Sequence, residues 1–400
     1  MKKILSFLLL SILLISCTPT TTTESIQTEE NAQVPLATPT AQEAVASPQA
    51  LTTSESTPLP EVSSAPLIDS PSIINIEMID ERNGWGVTEK QIVRTDDGGV
   101  TWYNVTPPDL TRIEDSVLQF FLDENNAWIQ FADNNNYPFV GFLYRTRDGG
   151  LTWEDFETPF SDGDIKFTDE NNGWMLADLG AGAGSMAVSV FQTNNGGETW
   201  NRVYTNDPNL EDSNNTLPLG GIKVLLTPLD MQTAWIGGVV YTNGTVYLFR
   251  TDDSGKTWTN IENIELPQNI QESQITVEKI HFVSATQGIL VLRVTSNNQR
   301  TLIFSTNDGG VTWQAFSQNI PEAGLLEIPS ANEIVFYSSD QFYVTEDAGV
   351  TFNIINSETS FGNTVSDISF VNSKNGWLIA NQKTLYRTED GGQTWNVLIP

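Results

Sequence analysis

Cysteine is nearly missing from this chain: its 400 residues include one, Cys17. A single thiol forms no internal disulfide and no cysteine-built zinc cluster. Histidine is equally scarce, with His281 alone. One imidazole and one thiol far apart in sequence suggest neither a Ser-His-Asp nor a Cys-His arrangement. Basic residues are few, 19 Lys and Arg against 50 Asp and Glu, for a net charge of −31. Such a surface repels nucleic-acid phosphates and anionic headgroups, which argues against a nucleic-acid partner. Stretches with helical periodicity are few, while β-branched and aromatic residues are plentiful. Hydrophobic residues at 39% suffice for a core outside the N-terminal region.

The one long apolar run, Ile4 to Ile15, follows the basic start Met1-Lys2-Lys3. About a dozen apolar residues are too few to span ~30 Å of hydrocarbon as a helix, but they suit the h-region of a signal peptide. The run ends at Leu14-Ile15-Ser16-Cys17, which resembles a lipobox. That resemblance implies a signal peptide over residues 1–16, cleavage before Cys17 and lipidation of its thiol. Two or three acyl chains hold a protein stably on a membrane where one does not. Residues 17–70 are rich in Thr, Ser, Pro, Ala, Gln and Glu, with seven acidic residues and no basic one after Cys17. This composition predicts a disordered tether averaging about 40 Å end to end.

Residues 71–400 repeat themselves. Seven segments follow Thr-x-Asp-x-Gly-x-Thr-Trp: Thr95–Trp102, Thr146–Trp153, Thr193–Trp200, Thr251–Trp258, Thr306–Trp313, Thr345–Phe352 and Thr388–Trp395. The acidic position holds Asp97, Asp148, Asn195, Asp253, Asp308, Asp347 and Asp390. A carboxylate there can accept backbone N–H bonds inside a tight turn, and the following glycine permits positive φ. A second position repeats upstream, as Asn83-Gly84-Trp85, Asn126-Ala127-Trp128, Asn172-Gly173-Trp174, Thr233-Ala234-Trp235 and Asn375-Gly376-Trp377. Gln287-Gly288-Ile289 and Asn332-Glu333-Ile334 fill that place in the other two units. All eleven tryptophans fall at these two positions, so they are expected in the core rather than on a ligand platform.

Each unit reads as four short strands, A to D. In the first they are Ile74–Ile79, Trp85–Val87, Gln91–Thr95 and Thr101–Val105. In the last they are Ser366–Val371, Trp377–Ala380, Thr384–Thr388 and Thr394–Leu398. Seven such units in tandem predict an all-β fold, a seven-bladed β-propeller of four-stranded blades with box turns. No strand is obviously shared to close the ring unless residues Pro58–Leu67 supply one.

The boxes resemble the Asp-box, or bacterial neuraminidase repeat. Asn-Gly-Trp followed by Tyr-Arg-Thr-x-Asp-Gly-Gly-x-Thr-Trp, plainest from Asn375 through Trp395, is most similar to photosystem II assembly and stability factor-like propellers. The resemblance implies a protein-binding scaffold or assembly factor whose partner is a membrane or envelope protein complex. The alternative is a glycan-binding protein or a glycoside hydrolase of the sialidase-like propeller type. Lipidation at Cys17 adds an extracytoplasmic location, with contact to the membrane through the lipid anchor only.

An enzyme is not expected. The Phe-Arg-Ile-Pro element of sialidases is absent, since Phe249-Arg250 leads directly into a box. Four of ten arginines (Arg94, Arg145, Arg250 and Arg387) immediately precede boxes, where repetition implies a structural task. A glycoside hydrolase needs two carboxylates about 5–10 Å apart, a condition fifty acidic residues do not test. His281 is expected in core or channel packing. Glu211-Asp212-Ser213-Asn214-Asn215 lacks a defined calcium-loop signature and reads as a solvated loop. No metal and no cofactor are expected.

The A–B and C–D turns share one end of a four-stranded meander, and the B–C and D–A loops share the other. Nearly all length variation falls in the second class: Ala132–Tyr137, Asp178–Ser185, Thr205–Gly220 and Glu262–Ser273. Long loops on a rigid scaffold are where partners meet a protein, which makes Tyr137, Phe139, Tyr204 and Leu210 the candidate contacts.

Overall fold

In the computed structural model, the described residues are 64–400 apart from 109, 111–116, 134–137, 298, 317–319, 321–323 and 382. The signal segment, Cys17 and most of the tether lie outside them. Among the described residues there are 29 strands, no α-helix and one short 3₁₀ turn, Gln268–Ile270.

The strands form seven antiparallel four-stranded meanders, over 73–104, 118–158, 163–205, 222–260, 274–315, 325–356 and 365–399. We number these blades 1 to 7. The A strands are Ile73–Met78, Leu118–Phe121, Gly163–Phe167, Ile222–Pro228, Gln274–Phe282, Leu325–Glu327 and Val365–Phe370. Adjacent A strands pack side by side at the junctions of blades 2 and 3, 3 and 4, 4 and 5, 6 and 7, and 7 and 1. Between blades 1 and 2 Trp85 of strand B stacks on Phe121, and between blades 5 and 6 Lys279 donates to Leu326 O. The result is a closed ring, a β-propeller, with the A strands innermost. Blades 4 and 5 are further joined into one sheet through the pair Val239 and Thr276.

Predicted and observed strands agree to within two residues in the first and last units, and Thr384–Thr388 matches end to end. Two details differ. In the sixth unit the box Thr345 pairs with Ile334, as Thr95 pairs with Gly84. Val335 therefore takes the place of the indole, one residue later than the spacing suggests. Leu67–Ile68, within the expected tether, pairs with Tyr103 and Trp102 on the outer edge of blade 1. It adds a fifth strand to blade 1 and does not complete blade 7.

The boxes form as their chemistry dictates. Thr95 Oγ1 donates to Asp97 Oδ1 at 3.0 Å and accepts Gly99 N at 2.9 Å. Asp97 also accepts Thr101 N at 2.9 Å and Thr101 Oγ1 at 2.7 Å. At Asn195 one bond reverses, its Nδ2 donating to Thr199 Oγ1 at 3.0 Å. Trp85, Trp102, Trp128, Trp174, Trp235 and Trp377 are almost wholly buried. The upstream indoles reach forward to the next blade: Trp85 Nε1 donates to Asp123 O, Trp128 to Gly196 O and Trp174 to Asp230 O, at 2.9 to 3.0 Å. Satisfying a buried donor at these junctions fixes the blade spacing as well as filling it, whereas the Trp235 Nε1 fills its junction without a hydrogen-bond partner.

Candidate functional site: the axial channel and the loop face

Within each A strand, one residue lies opposite the indole slot of strand B. These are Glu77, Phe120, Lys166, Thr227, His281, Glu327 and Ser369. All but Ser369 line an axial cavity of about 590 Å³, joined by Asn75, Asp164, Glu278 and Lys279. The sequence gives no hint of this ring, because its positions do not repeat.

Charge in the channel is arranged in pairs. Lys166 Nζ meets Asp164 Oδ1 at 2.9 Å, and Lys279 Nζ meets Glu327 Oε1 at 3.3 Å. Glu278 is paired with Arg293, which lies outside the cavity lining. Asp367 of blade 7 accepts Ile76 N at 2.8 Å and Asn75 Nδ2 at 3.1 Å from blade 1. Asp164 makes the corresponding bond to Leu226 N at 2.7 Å between blades 3 and 4. Glu77 is exposed to the channel but encircled by the ring. Poor hydration first, and Glu327 second, push its carboxyl up to about 7. Burial raises the Asp367 carboxyl to about 7 against the pull of the Ile76 N–H, with Glu327 and Glu77 adding to the rise. Burial, helped by Lys279, lowers His281 to about 4 and leaves it neutral.

The arginines that precede boxes do structural work. Arg94 lies over the Trp85 ring at 4.9 Å and donates to Glu124 O at 2.8 Å in the next blade. Arg145 donates to Asn195 O at 2.7 Å and Arg250 to Gly309 O at 2.9 Å, each again in the following blade. Arg387 lies over Trp377 at 5.2 Å. Among the described residues that line the channel there is no arginine, so no guanidinium clamp for a substrate carboxylate is assembled there.

The loop face meets the expectations unevenly. Phe139 is exposed, at 58%. Leu210 is half-buried, its N–H donating to Asp207 O. Tyr137 lies outside the described residues. Tyr204, expected as a contact, is instead buried at 4%: its hydroxyl donates to Asn214 O at 2.7 Å and accepts Leu217 N at 2.7 Å. It pins the 205–220 loop from beneath, and an aromatic at a strand end does not reveal which way it turns. Asp212 of the acidic loop pairs with Arg202 at 2.9 Å.

Lys223 escaped notice in the sequence. Only 3% exposed, its ammonium donates to Met186 O, Pro218 O, Leu219 O and Gly221 O at 2.6 to 3.1 Å. Among the described residues no carboxylate pairs with it, and burial lowers its pKa to about 8. Carbonyl dipoles, with the Tyr247 ring 5.5 Å from the ammonium, hold this cation and, through it, the loop.

Comparisons with known proteins agree with this architecture. The family model described as photosynthesis system II assembly factor YCF48 matches residues 344–398. The GH74 xyloglucanase of Xanthomonas campestris superimposes with a TM-score of 0.56 at 10% identity, over 82% of this chain and 55% of that one. The GH74 enzyme of Niastella koreensis gives 0.55 at 15% identity, over 82% and 54%. This chain thus spans about half the length of those enzymes. A structure of YCF48 bound to a D1 peptide gives 0.49 at 16% identity, over 80% and 92%. The search of curated proteins found no match. The chain is a β-propeller of Asp-box repeats similar to YCF48, and it matches the YCF48 family model across its last blade and the end of the one before.

Proposed function

We propose that this protein is an extracytoplasmic lipoprotein, held on a bacterial membrane by acyl chains on Cys17, whose propeller serves as a protein-binding scaffold or assembly factor. One observation carries the reading. The elements that repeat (box carboxylates, box arginines and indoles) are spent on holding the ring together, and the variable length lies in loops on one face. A rigid ring with one elaborated face is built to position a partner. The partner is a membrane or envelope protein complex. Cross-linking of the lipidated protein in its native membrane, followed by mass spectrometry, tests this. Recurrent capture of one complex through the B–C and D–A loops is the expected result. Capture of abundant bystanders alone overturns it.

A second reading, glycan binding or glycoside hydrolysis, draws on a separate observation. Glu77, which lines the cavity of about 590 Å³, and Asp367, bonded to the lining residue Asn75, carry carboxyls raised to about 7, and a raised carboxyl is what a general acid requires. Five neighbouring charged groups, Asp164, Lys166, Glu278, Lys279 and Glu327, are already engaged with protein partners, which is why this reading stands second. Binding and hydrolysis assays on envelope polysaccharides, with Glu77→Gln beside the native protein, decide it. Turnover abolished by that substitution favours the enzyme, and no binding or turnover removes it.

A further inference from the structure

We infer that the loop face over blades 3 to 5 is a docking platform for a cationic protein segment that carries an apolar or aromatic anchor. The inference rests on the scaffold reading above and names the kind of partner that the scaffold takes.

Four connections fuse into one surface there. The blade 3 hairpin runs past the sheet to a Gly-Ala-Gly-Ala-Gly tip, residues 180–184, most of it exposed. Gly221 N donates to Gly184 O at 2.8 Å and Met186 N to Leu219 O at 2.9 Å, which lashes the hairpin to the 205–221 loop. The B–C loop of blade 4, residues 240–246, leans on the same tip: a Cβ placed on Gly184 would sit 2.8 Å from the Tyr241 ring. Its other flank is tied to the 261–273 loop, where Gly244 N donates to Ser273 O at 2.8 Å. Lys223 holds the floor through its four carbonyl bonds. The surface is ordered before any partner arrives, so binding need not meet the cost of ordering it.

Its own side chains are acidic around an apolar feature, with Arg300 at one margin donating to Asn269 O and Oδ1 at 3.3 Å. Residues 178–185, 205–221, 240–246 and 261–273 hold seven acidic side chains and no lysine, arginine or histidine. Glu211, Glu262, Glu265 and Glu272 are exposed, whereas Asp212 is engaged by Arg202. Among them stand Tyr241, 67% exposed, and Leu219, 39% exposed. An exposed tyrosine ring is an anchor for apolar contact and for a cation above its face. The surrounding carboxylates steer positive segments in and turn anionic surfaces away. Charge complementarity therefore selects a Lys/Arg-rich protein segment.

The test uses the full chain and a defined probe, a fluorescent twelve-residue peptide of alternating Lys and Trp with a Glu/Trp peptide as control. Binding is read by anisotropy at physiological ionic strength. The triple variant Glu211→Gln, Glu262→Gln, Glu265→Gln should lose about tenfold in affinity, and Tyr241→Ser severalfold. A variant of equal charge on the box face, Glu81→Gln, Glu170→Gln, Glu389→Gln, should change affinity by less than about threefold, since screening confines charge effects to roughly 8 Å. Equal losses in both triple variants, or no binding of the Lys/Trp peptide, overturn the platform. Membrane cross-linking separates the two levels. Cross-links from residues 205–221 or 240–246 to a basic partner segment support the platform. A partner captured only through other loops overturns it and leaves the scaffold reading standing. Capture of no partner overturns both.

Discussion

The Asp367 carboxylate in the last blade accepts the backbone N–H of Ile76 in the first at 2.8 Å, although 291 residues separate them. Trp377 Nε1 donates to Gly98 O across the same junction at 2.8 Å, and Met78 N donates to Ser369 Oγ at 2.9 Å. Among the described residues no strand is exchanged between blades 7 and 1. Side chains close this ring, and its closure therefore inherits their chemistry.

The first consequence is a pH dependence. Asp367 and Glu77 titrate near 7 in the folded chain, above the ordinary range of either carboxyl. From about pH 4 to 7 the folded state thus holds protons that the unfolded state has lost, so this contribution is full in acid and falls as pH rises through that window. The box aspartates act in the opposite sense. Asp308, lowered to about 2 by bonds from Thr312, contributes stability that is present above about pH 4 and lost below it. Thermal unfolding followed against pH should peak on the acid side of neutrality. Glu77→Gln should raise the midpoint at pH 7.5 and have little effect at pH 5. An equal shift at both values would show that its charge is not the cause.

A second expectation concerns the junction's indole. Trp377→Phe keeps most of the apolar volume but leaves the buried Gly98 carbonyl without its donor, at a cost of about 1–3 kcal/mol. Trp377→Ala adds a cavity and should cost about 3–5 kcal/mol. Denaturant titration with the native protein alongside measures both. If Trp377→Phe proves neutral, the hydrogen bond contributes nothing to closure.

The fold was legible because its signals recur. Thr, Asp, Gly and Trp return from box to box, with Asn195 and Phe352 the two departures, because every box closes the same turn with nearly the same bonds. The A–B turns carry a quieter repeat that was open to the same reading. Asp80, Asp123, Asp169, Asp230 and Asn372 each accept the backbone N–H groups two and three residues on. The channel was not legible for the converse reason. Glu77, Lys166, His281 and Ser369 hold equivalent places yet share no residue type, because the channel needs no common chemistry from each blade. Tyr204 and Lys223 were missed on other grounds. Whether a side chain turns inward depends on loop carbonyls that only the folded chain brings together.

Backbone strain gives a third prediction. The fourth box position has positive φ throughout, and it is glycine in five boxes but Ser254 at 63° and Ala348 at 56° in the others. An L-residue there costs roughly 1–2 kcal/mol. Ala348→Gly should therefore stabilise the protein by about 1 kcal/mol, less the added entropy of the unfolded chain. The next residue behaves oppositely: a Cβ on Gly349 would fall 1.8 Å from the Phe316 ring. Gly349→Ala should destabilise strongly. Paired denaturation curves for the two variants, one residue apart and of opposite sign, provide the check.

The last prediction concerns the floor of the platform. Replacing Lys223 by Met keeps the length of the stem and removes the ammonium, which leaves four carbonyls facing an apolar tip. A buried charge costs stability, but carbonyls left without a donor cost it as well, about 1–3 kcal/mol each when they stay dry. The loop has a cheaper route, since the carbonyls of Pro218, Leu219 and Gly221 can swing out to water. Lys223→Met should therefore lower global stability modestly and free the 205–221 loop locally. Amide exchange should quicken at Met186 and Gly221, whose N–H bonds lash the hairpin to that loop. The box amides of Gly99 and Gly392, bonded to their own threonines, should be unchanged. Uniformly faster exchange across the ring would mean that Lys223 supports the whole propeller, and unchanged exchange at Gly221 would mean that its carbonyl bonds do not hold the loop.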